Sequence, residues 1–210
     1  MKHFNLRDFI EKKDSSFESS FFREGQKYVL DYFQNSGKEA KLALHDEQTN
    51  TCFEKSRILG WDPQRVVKSI FLYDSKGKFY GFVSPELGES EDKPLRFNNQ
   101  TISKIFSDEV ERKKMMNLSN SVYPLGMEKG TCTPFVPEYY FQDGDGFTGR
   151  LERIFVYTSS NINKKLVDIS FGGEGELAQK TSLHLTYEDI YLCLNQAFPG
   201  RITQFNFEKV

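Results

Sequence analysis

Cysteine is scarce in this chain, and what there is does not pair. Cys52, Cys132 and Cys193 are odd in number and widely spaced, with no CxxC pair. That excludes a disulfide framework and points to reduced thiols in a cytoplasmic protein. Long apolar runs are missing too: the first twenty residues lack the apolar stretch of a signal peptide, and no later segment has the length to span a bilayer, so no membrane partner is expected. Charge of one sign is also lacking. A net charge of -2 and a pI near 6.0 exclude a protein that coats nucleic acid by bulk charge; DNA is not an expected partner, and any RNA contact must be a local patch.

Several catalytic signatures are absent as well. His3, His45 and His184 are scattered and form no HxxxH, HExxH or zinc-ligand spacing with cysteine, so neither a metal nor any other cofactor is expected. No GxSxG elbow and no P-loop occurs. Gly172-Gly173-Glu174-Gly175 could cradle a phosphate, but it stands between two strands instead of opening a helix, and reads as a bulged hairpin corner. The acidic spacing of QDGDGFTG at Gln142 to Gly149 lacks the remaining ligands of a calcium loop and reads as a turn. Cys132 has no histidine near it in sequence, and a buried inert thiol is the reading that spacing favours.

What is present is the material for one sizeable core. The 210 residues are 38% hydrophobic, 15% aromatic and 28% charged, with 20 Phe and 10 Tyr, and this composition predicts a single packed domain over residues 21–210 preceded by a polar arm at 1–20. The arm is compatible with a short docked helix or a mobile segment. Periodicity predicts a helix from Phe21 to Phe33 stopped at Asn35-Ser36-Gly37, a strand from Lys41 to Leu44, and a helix through Leu59 closed by Gly60. Asp62-Pro63 then turns the chain into an apolar strand around Lys68, and Ser75 to Lys78 turns it back through Phe79 to Val83 as a hairpin. Ser84 to Phe97, with Glu86, Glu89, Glu91 and Asp92, reads as a solvated loop. Ser103 to Leu118 reads as one helix with Ile105, Phe106, Val110 and Met115 inward. Strands follow at Ile154 to Thr158, Leu166 to Phe171 and Thr181 to Leu185, and a helix from Tyr187 to Ala197 capped near Thr186. Hairpins outnumber strand-helix-strand alternations, so the expected class is α+β, a single mixed, mostly antiparallel sheet packed with helices.

Lys68 is the residue that stands out. It lies within Val66, Val67, Ile70, Phe71 and Leu72, where a cation either snorkels from a strand to solvent or stands at a pocket floor facing an anion. A second stretch weighs on the choice: Tyr123 to Phe135 is a Gly- and Pro-punctuated loop too apolar for a linker. A helix ending Leu59-Gly60, the strand Val66-Val67-Lys68-Ser69, a second strand ending Val83-Ser84-Pro85, a basic-faced helix, the loop Gly130-Thr131-Cys132-Thr133-Pro134 and a closing strand with Gly172-Gly173 occur in that order. In this the chain resembles the YbaK/prolyl-tRNA synthetase-associated domain family over roughly Phe21 to Phe198, the sharpest matches being the strand lysine and a GxxxP loop carried by Gly130 and Pro134.

The resemblance implies a YbaK-like fold and a metal-independent, trans-editing deacylase that hydrolyses the ester of a mischarged aminoacyl-tRNA. Aminoacyl-tRNA would be its partner, with an aminoacyl-tRNA synthetase as a second one. Lys68 and Gly130 would be the catalytic residues, Lys68 fixing the tRNA 3′ end as a compact point charge. Thr131, Cys132, Thr133 and Pro134 would shape the amino-acid pocket, with Ser170 and Gly172 lining it from the closing strand. A positioned water and backbone dipoles would suffice for an already activated ester. The alternative is a module on the same fold that holds an RNA end or nucleotide without cleaving it; a scaffold docking through the acidic loop around Glu86 to Asp92 ranks last. The clusters Arg112-Lys113-Lys114 and Lys164-Lys165 favour RNA if they share the Lys68 face, and solvation if they do not.

Overall fold

The computed structural model describes residues 1–5, 24–47, 49, 51–106, 108–120, 132–135, 141–142, 148–171 and 180–207. Among the described residues, ten strands form one sheet: β1 (Lys2–Asn5), β2 (Lys41–Leu44), β3 (Val66–Tyr73), β4 (Lys78–Pro85), β5 (Ser119–Asn120), β6 (Phe141–Gln142), β7 (Thr148–Tyr157), β8 (Leu166–Ser170), β9 (Thr181–Thr186) and β10 (Ile202–Phe205). Eight of them run in the order β1-β2-β9-β8-β3-β4-β7-β10, with β5 on β3 and β6 on β7. Six of the nine pairings among the described residues are antiparallel and three, β3 with β8, β4 with β7 and β7 with β10, are parallel. The sheet is therefore mixed and mostly antiparallel, and the class is α+β as expected. Five α-helices accompany it among the described residues: α1 (Glu24–Ser36), α2 (Cys52–Leu59), α3 (Asn99–Ile105), α4 (Glu109–Met116) and α5 (Tyr187–Ala197). None is long and apolar enough to cross a membrane.

The local chemistry explains most boundaries. Thr51 and Glu54 form a reciprocal capping box at the start of α2, and Gly60, at φ 66°, closes it in the left-handed conformation that glycine adopts without strain. Asp62 caps the short 3₁₀ turn Pro63–Arg65 that delivers the chain into β3, and Thr186 caps α5 through Asp189.

Two expectations are corrected, and one strand is new. The stretch expected as one helix from Ser103 to Leu118 is two, because Asp108 caps a new helix by accepting from the Glu111 N–H, and Val110 ends up 76% exposed instead of in the core. Residues 2–5 enter the sheet as an edge strand on β2, where a docked helix or mobile segment was expected; the rest of the arm lies outside the described residues. β10 had no counterpart in the sequence reading. It is four residues long and its pairing partner, β7, is remote in sequence.

The register divides the sheet into two unlike faces, since side chains alternate along each strand and paired residues share a face. Leu42, Leu183, Ile169, Val67, Phe71, Val83 and Ile154 lie on one face. They belong to one buried cluster with Val29, Tyr32 and Phe33 of α1 and Ile190 and Leu194 of α5. The other face carries Phe82, Phe155 and Tyr80 on the β4–β7 side, where Phe97 and Phe106 pack on them with ring centroids 4.9–5.1 Å apart. Toward β8 and β9 that face turns polar, with Lys68 and Ser84, then Ser170 and Ser182, then Asp168 and His184 in paired rows.

Gly81 sits where the sheet leaves no room. A Cβ there would lie 2.9 Å from a Phe71 ring carbon and 3.2 Å from Ile154 Cγ1, both fully buried. Gly81→Val should therefore lower stability by about 1–3 kcal/mol through overpacking, read as a lower urea midpoint at unchanged m-value.

Candidate functional site

The polar region of the second face is where the strands part. β8 pairs with β3 only at Val66–Asp168 and Val67–Ile169, and β5 rejoins the same edge at Leu72 and Tyr73. Between them, no strand among the described residues covers β3. Residues 132–135 lie against this opening, the Ser69 hydroxyl donating to the Cys132 carbonyl at 2.7 Å. A cavity of about 620 Å³ results, lined among others by Cys52 and Lys55 of α2, Lys68 and Ser69 of β3, and Cys132, Asp168 and Ser170. A second cavity, about 930 Å³, lies on the far side of Lys68 between Ile70, Leu72, Phe97, Gln100, Ile102 and Leu118, and the two share Lys68, Ile70, Leu95 and Arg96.

Lys68 is therefore a cavity-wall residue. Its ammonium is 2.9 Å from Glu86 Oε2 and also donates to the Leu95 carbonyl. Glu86 is 2% exposed, which corrects its reading as part of a solvated loop. Its other oxygen accepts from the N–H groups of Gly88 at 2.8 Å and Leu95 at 2.6 Å, so one carboxylate holds the lysine and folds the 86–95 segment back over it. A buried carboxylate is tolerated because every oxygen is paired.

The residues predicted for the site divide into three groups. Lys68, Cys132 and Ser170 come together on the cavity. Thr133 and Pro134 are buried beside Cys132 but line neither cavity. Gly130, Thr131 and Gly172 lie outside the described residues. Of the basic clusters, Lys114 lies on the Lys68 face with its ammonium over the Tyr80 ring at 4.9 Å, while Lys113 pairs with Glu109; neither cluster lines either of these two cavities.

Sequence reasoning missed a second ion pair. Lys55 Nζ lies 3.0 Å from Asp168 Oδ1, and Asp168 is completely buried. Its other oxygen, Oδ2, accepts from the Ser182 hydroxyl and lies 3.0 Å from His184 Nε2, while His45 Nε2 is 2.8 Å from Ser182 Oγ. The His184 ring packs on Trp61 at 4.7 Å, and the Arg65 guanidinium lies over the Trp61 ring, 3.8 Å from its centroid. The signal was the one that drew attention to Lys68: a polar residue inside an apolar strand, here Asp168 in Leu-Val-Asp-Ile and His184 in Leu-His-Leu.

Electrostatics constrain the chemistry. Burial alone would raise the Asp168 pKa, but the Lys55 charge and hydrogen bonds from His184 and His45 outweigh it and hold the carboxyl well below the usual range. Burial pushes the Cys132 thiol up to about 12, with Ser69 opposing only in part. Cys52 is pushed up to about 11, again chiefly by burial, with Lys68 and Lys55 pulling down and Glu86 and Asp168 pushing up. Both thiols are protonated at neutral pH and are not nucleophiles.

Two outcomes follow. Glu86→Ala leaves an ammonium and two N–H groups without their acceptor, and should cost about 3–5 kcal/mol in denaturant unfolding. Asp168 binds its proton more weakly folded than unfolded. Its contribution is therefore complete above the unfolded value of about 3.9 and declines as pH falls from there toward the lower folded value. Asp168→Asn should flatten the loss of stability measured below about pH 4 in acid titrations of the unfolding free energy.

No protein-family model matches the sequence, and no curated protein matches it. The chain is similar in fold to the hypothetical protein APE2540, with a TM-score of 0.51 and 15% identity over 85% of this chain and 98% of that one. A candidate trans-editing enzyme for prolyl tRNA synthetase aligns at a TM-score of 0.47 and 14% identity over 88% of this chain and 98% of that one.

Proposed function

We propose that the protein is an aminoacyl-tRNA deacylase that hydrolyses the ester of a mischarged tRNA, a trans-editing activity. The observation that carries this reading is that Lys68, Cys132 and Ser170, picked from three distant parts of the sequence by their likeness to the YbaK-type pattern, line one cavity. In this reading the third proton of the Lys68 ammonium, two being engaged by Glu86 and Leu95, holds an anionic oxygen at the 3′ end. Glu86 sets where that ammonium stands. The acyl group lies toward Cys132 and Ser170. Water adds to the ester carbonyl, the bond to the ribose oxygen breaks, and the ribose oxygen leaves with a proton as a hydroxyl. The protonated thiols require that oxygen attack come from water, and an aminoacyl ester is activated enough for positioning and fixed dipoles to supply the acceleration.

A second reading, a module that holds an RNA end without cleaving it, is favoured by one observation. Each carboxylate lining the cavity is already paired, Glu86 with Lys68, Asp168 with Lys55 and Glu91 with Arg57, so the described lining offers no free general base. Release of labelled amino acid from a panel of correctly charged and mischarged tRNAs separates the two. Deacylation predicts selective release from a mischarged species, reduced about a hundredfold or more in Lys68→Ala. RNA binding that weakens with salt, with no ester loss across the panel, selects the binding module.

A further inference from the structure

Two ion pairs line the cavity in the same orientation. In each the carboxylate is the deeper partner: the Glu86 side chain is 3% exposed and Lys68 19%, the Asp168 side chain 1% and Lys55 13%. The carboxylates are tied from behind, Glu86 by two backbone N–H groups and Asp168 by Ser182 and His184, so neither can follow its lysine toward a ligand. The Cys52 thiol feels all four charges, which sets the two pairs around one side chain of α2. The third carboxylate of the lining, Glu91, is engaged by Arg57 at 2.7 Å, and Arg96, exposed at the junction of the two cavities, adds a further cation. The cavity thus presents ammonium groups forward and carboxylates behind.

We propose that Lys55 is a second anion-holding residue of this cavity, and that the ligand is gripped at two points by Lys55 and Lys68 through anionic oxygens. Only the identity of the ligand rests on the deacylase reading. Under it, the anionic oxygens belong to the phosphodiester at the RNA 3′ end or to a carboxylate on the amino-acid side chain. Both are recognised by the same charge-assisted hydrogen bonds from a compact ammonium. A lysine that served only to neutralise Asp168 would be dispensable once that charge was gone, and this separates the two roles.

The test uses the full chain with the double substitution Lys55→Gln and Asp168→Asn, which removes the pair without stranding a buried charge, beside Lys68→Gln and the wild type. Circular dichroism and the unfolding midpoint establish that each variant is folded. One arm measures binding of an uncharged RNA hairpin ending in CCA across a salt series. If a phosphate is held, the double variant binds about tenfold more weakly, and its salt slope is shallower by about 0.7. The other arm compares adenosine carrying a non-hydrolysable amide-linked aspartyl group with the same compound carrying an alanyl group. If a carboxylate is held, the wild type prefers the aspartyl compound about tenfold and the double variant loses the preference. A folded double variant that matches the wild type in both arms overturns the proposal, as does a wild type that binds neither probe. Absence of ester hydrolysis alongside either positive arm rejects the deacylase reading and leaves the two-lysine site standing. If the double variant does not fold, Lys55→Arg takes its place; it keeps the charge but moves the donors, and unchanged binding in both arms by this variant overturns the proposal.

Discussion

The contact between Lys68 and Glu86 is the constraint on which the site depends. A lysine placed in the middle of β3 by an otherwise apolar sequence needs an acceptor, and the hairpin supplies one. The register sets Lys68 opposite Ser84, and the chain leaving β4 continues the ladder, Glu86 N–H donating to the Val66 carbonyl at 3.0 Å. This brings a carboxylate alongside the ammonium. The same carboxylate accepts from Gly88 and Leu95, and the Leu95 carbonyl in turn accepts from Lys68, so a loop of ten residues is closed on itself by one side chain. Gly88 is part of that closure: a Cβ on it would lie 2.4 Å from the Lys93 carbonyl oxygen. Because Leu95 and Arg96 line both cavities, this ion pair places a wall common to the two.

The two faces of the sheet divide the work between stability and placement. One face is largely apolar and closed by α1 and α5, and burial at roughly 25 cal/mol per Å² makes it the main favourable contribution to folding. The polar rows on the other face return little net stability, since removing charges from water offsets most of what pairing gains. Their contribution is to hold side chains in position. His184 fixes Asp168, Trp61 packs on His184 with Arg65 over the Trp61 ring, and Asp168 fixes Lys55. Each link restrains the next, and the last is an ammonium at a cavity wall.

How far this was legible in the sequence depended on whether the information was local. Capping residues and turn glycines are local, so the end of α2 at Gly60, α5 with Thr186, and the hairpin of β3 and β4 were found with nearly correct limits. Lys68 was found because a charge in an apolar strand is visible in a short window. Glu86 was not, because it opens an acidic run, and such runs are usually solvated; only the hairpin register reveals that the first carboxylate turns inward while Glu89 stays out. Asp168 and His184 sit 16 residues apart, and Lys55 lies on a helix far upstream. Their meeting is a property of the pairing β3-β8-β9, which no local pattern encodes. β10 escaped for the same reason.

The charge state of the cavity limits what chemistry it can perform. Its thiols are held protonated by burial, its carboxylates are spent on lysines and an arginine, and its cations are fixed at the wall by those carboxylates. Such a site is poorly equipped to generate a nucleophile and well equipped to hold an anion in one orientation. An ester already activated by its attachment to a ribose needs less, because fixing the acyl carbon against a water removes the translational and rotational part of the barrier, worth about 7–11 kcal/mol in well-oriented systems. Under the proposed deacylase reading, the preorganised cations would act where charge is fixed in the substrate, leaving selectivity to whatever fills the space between them.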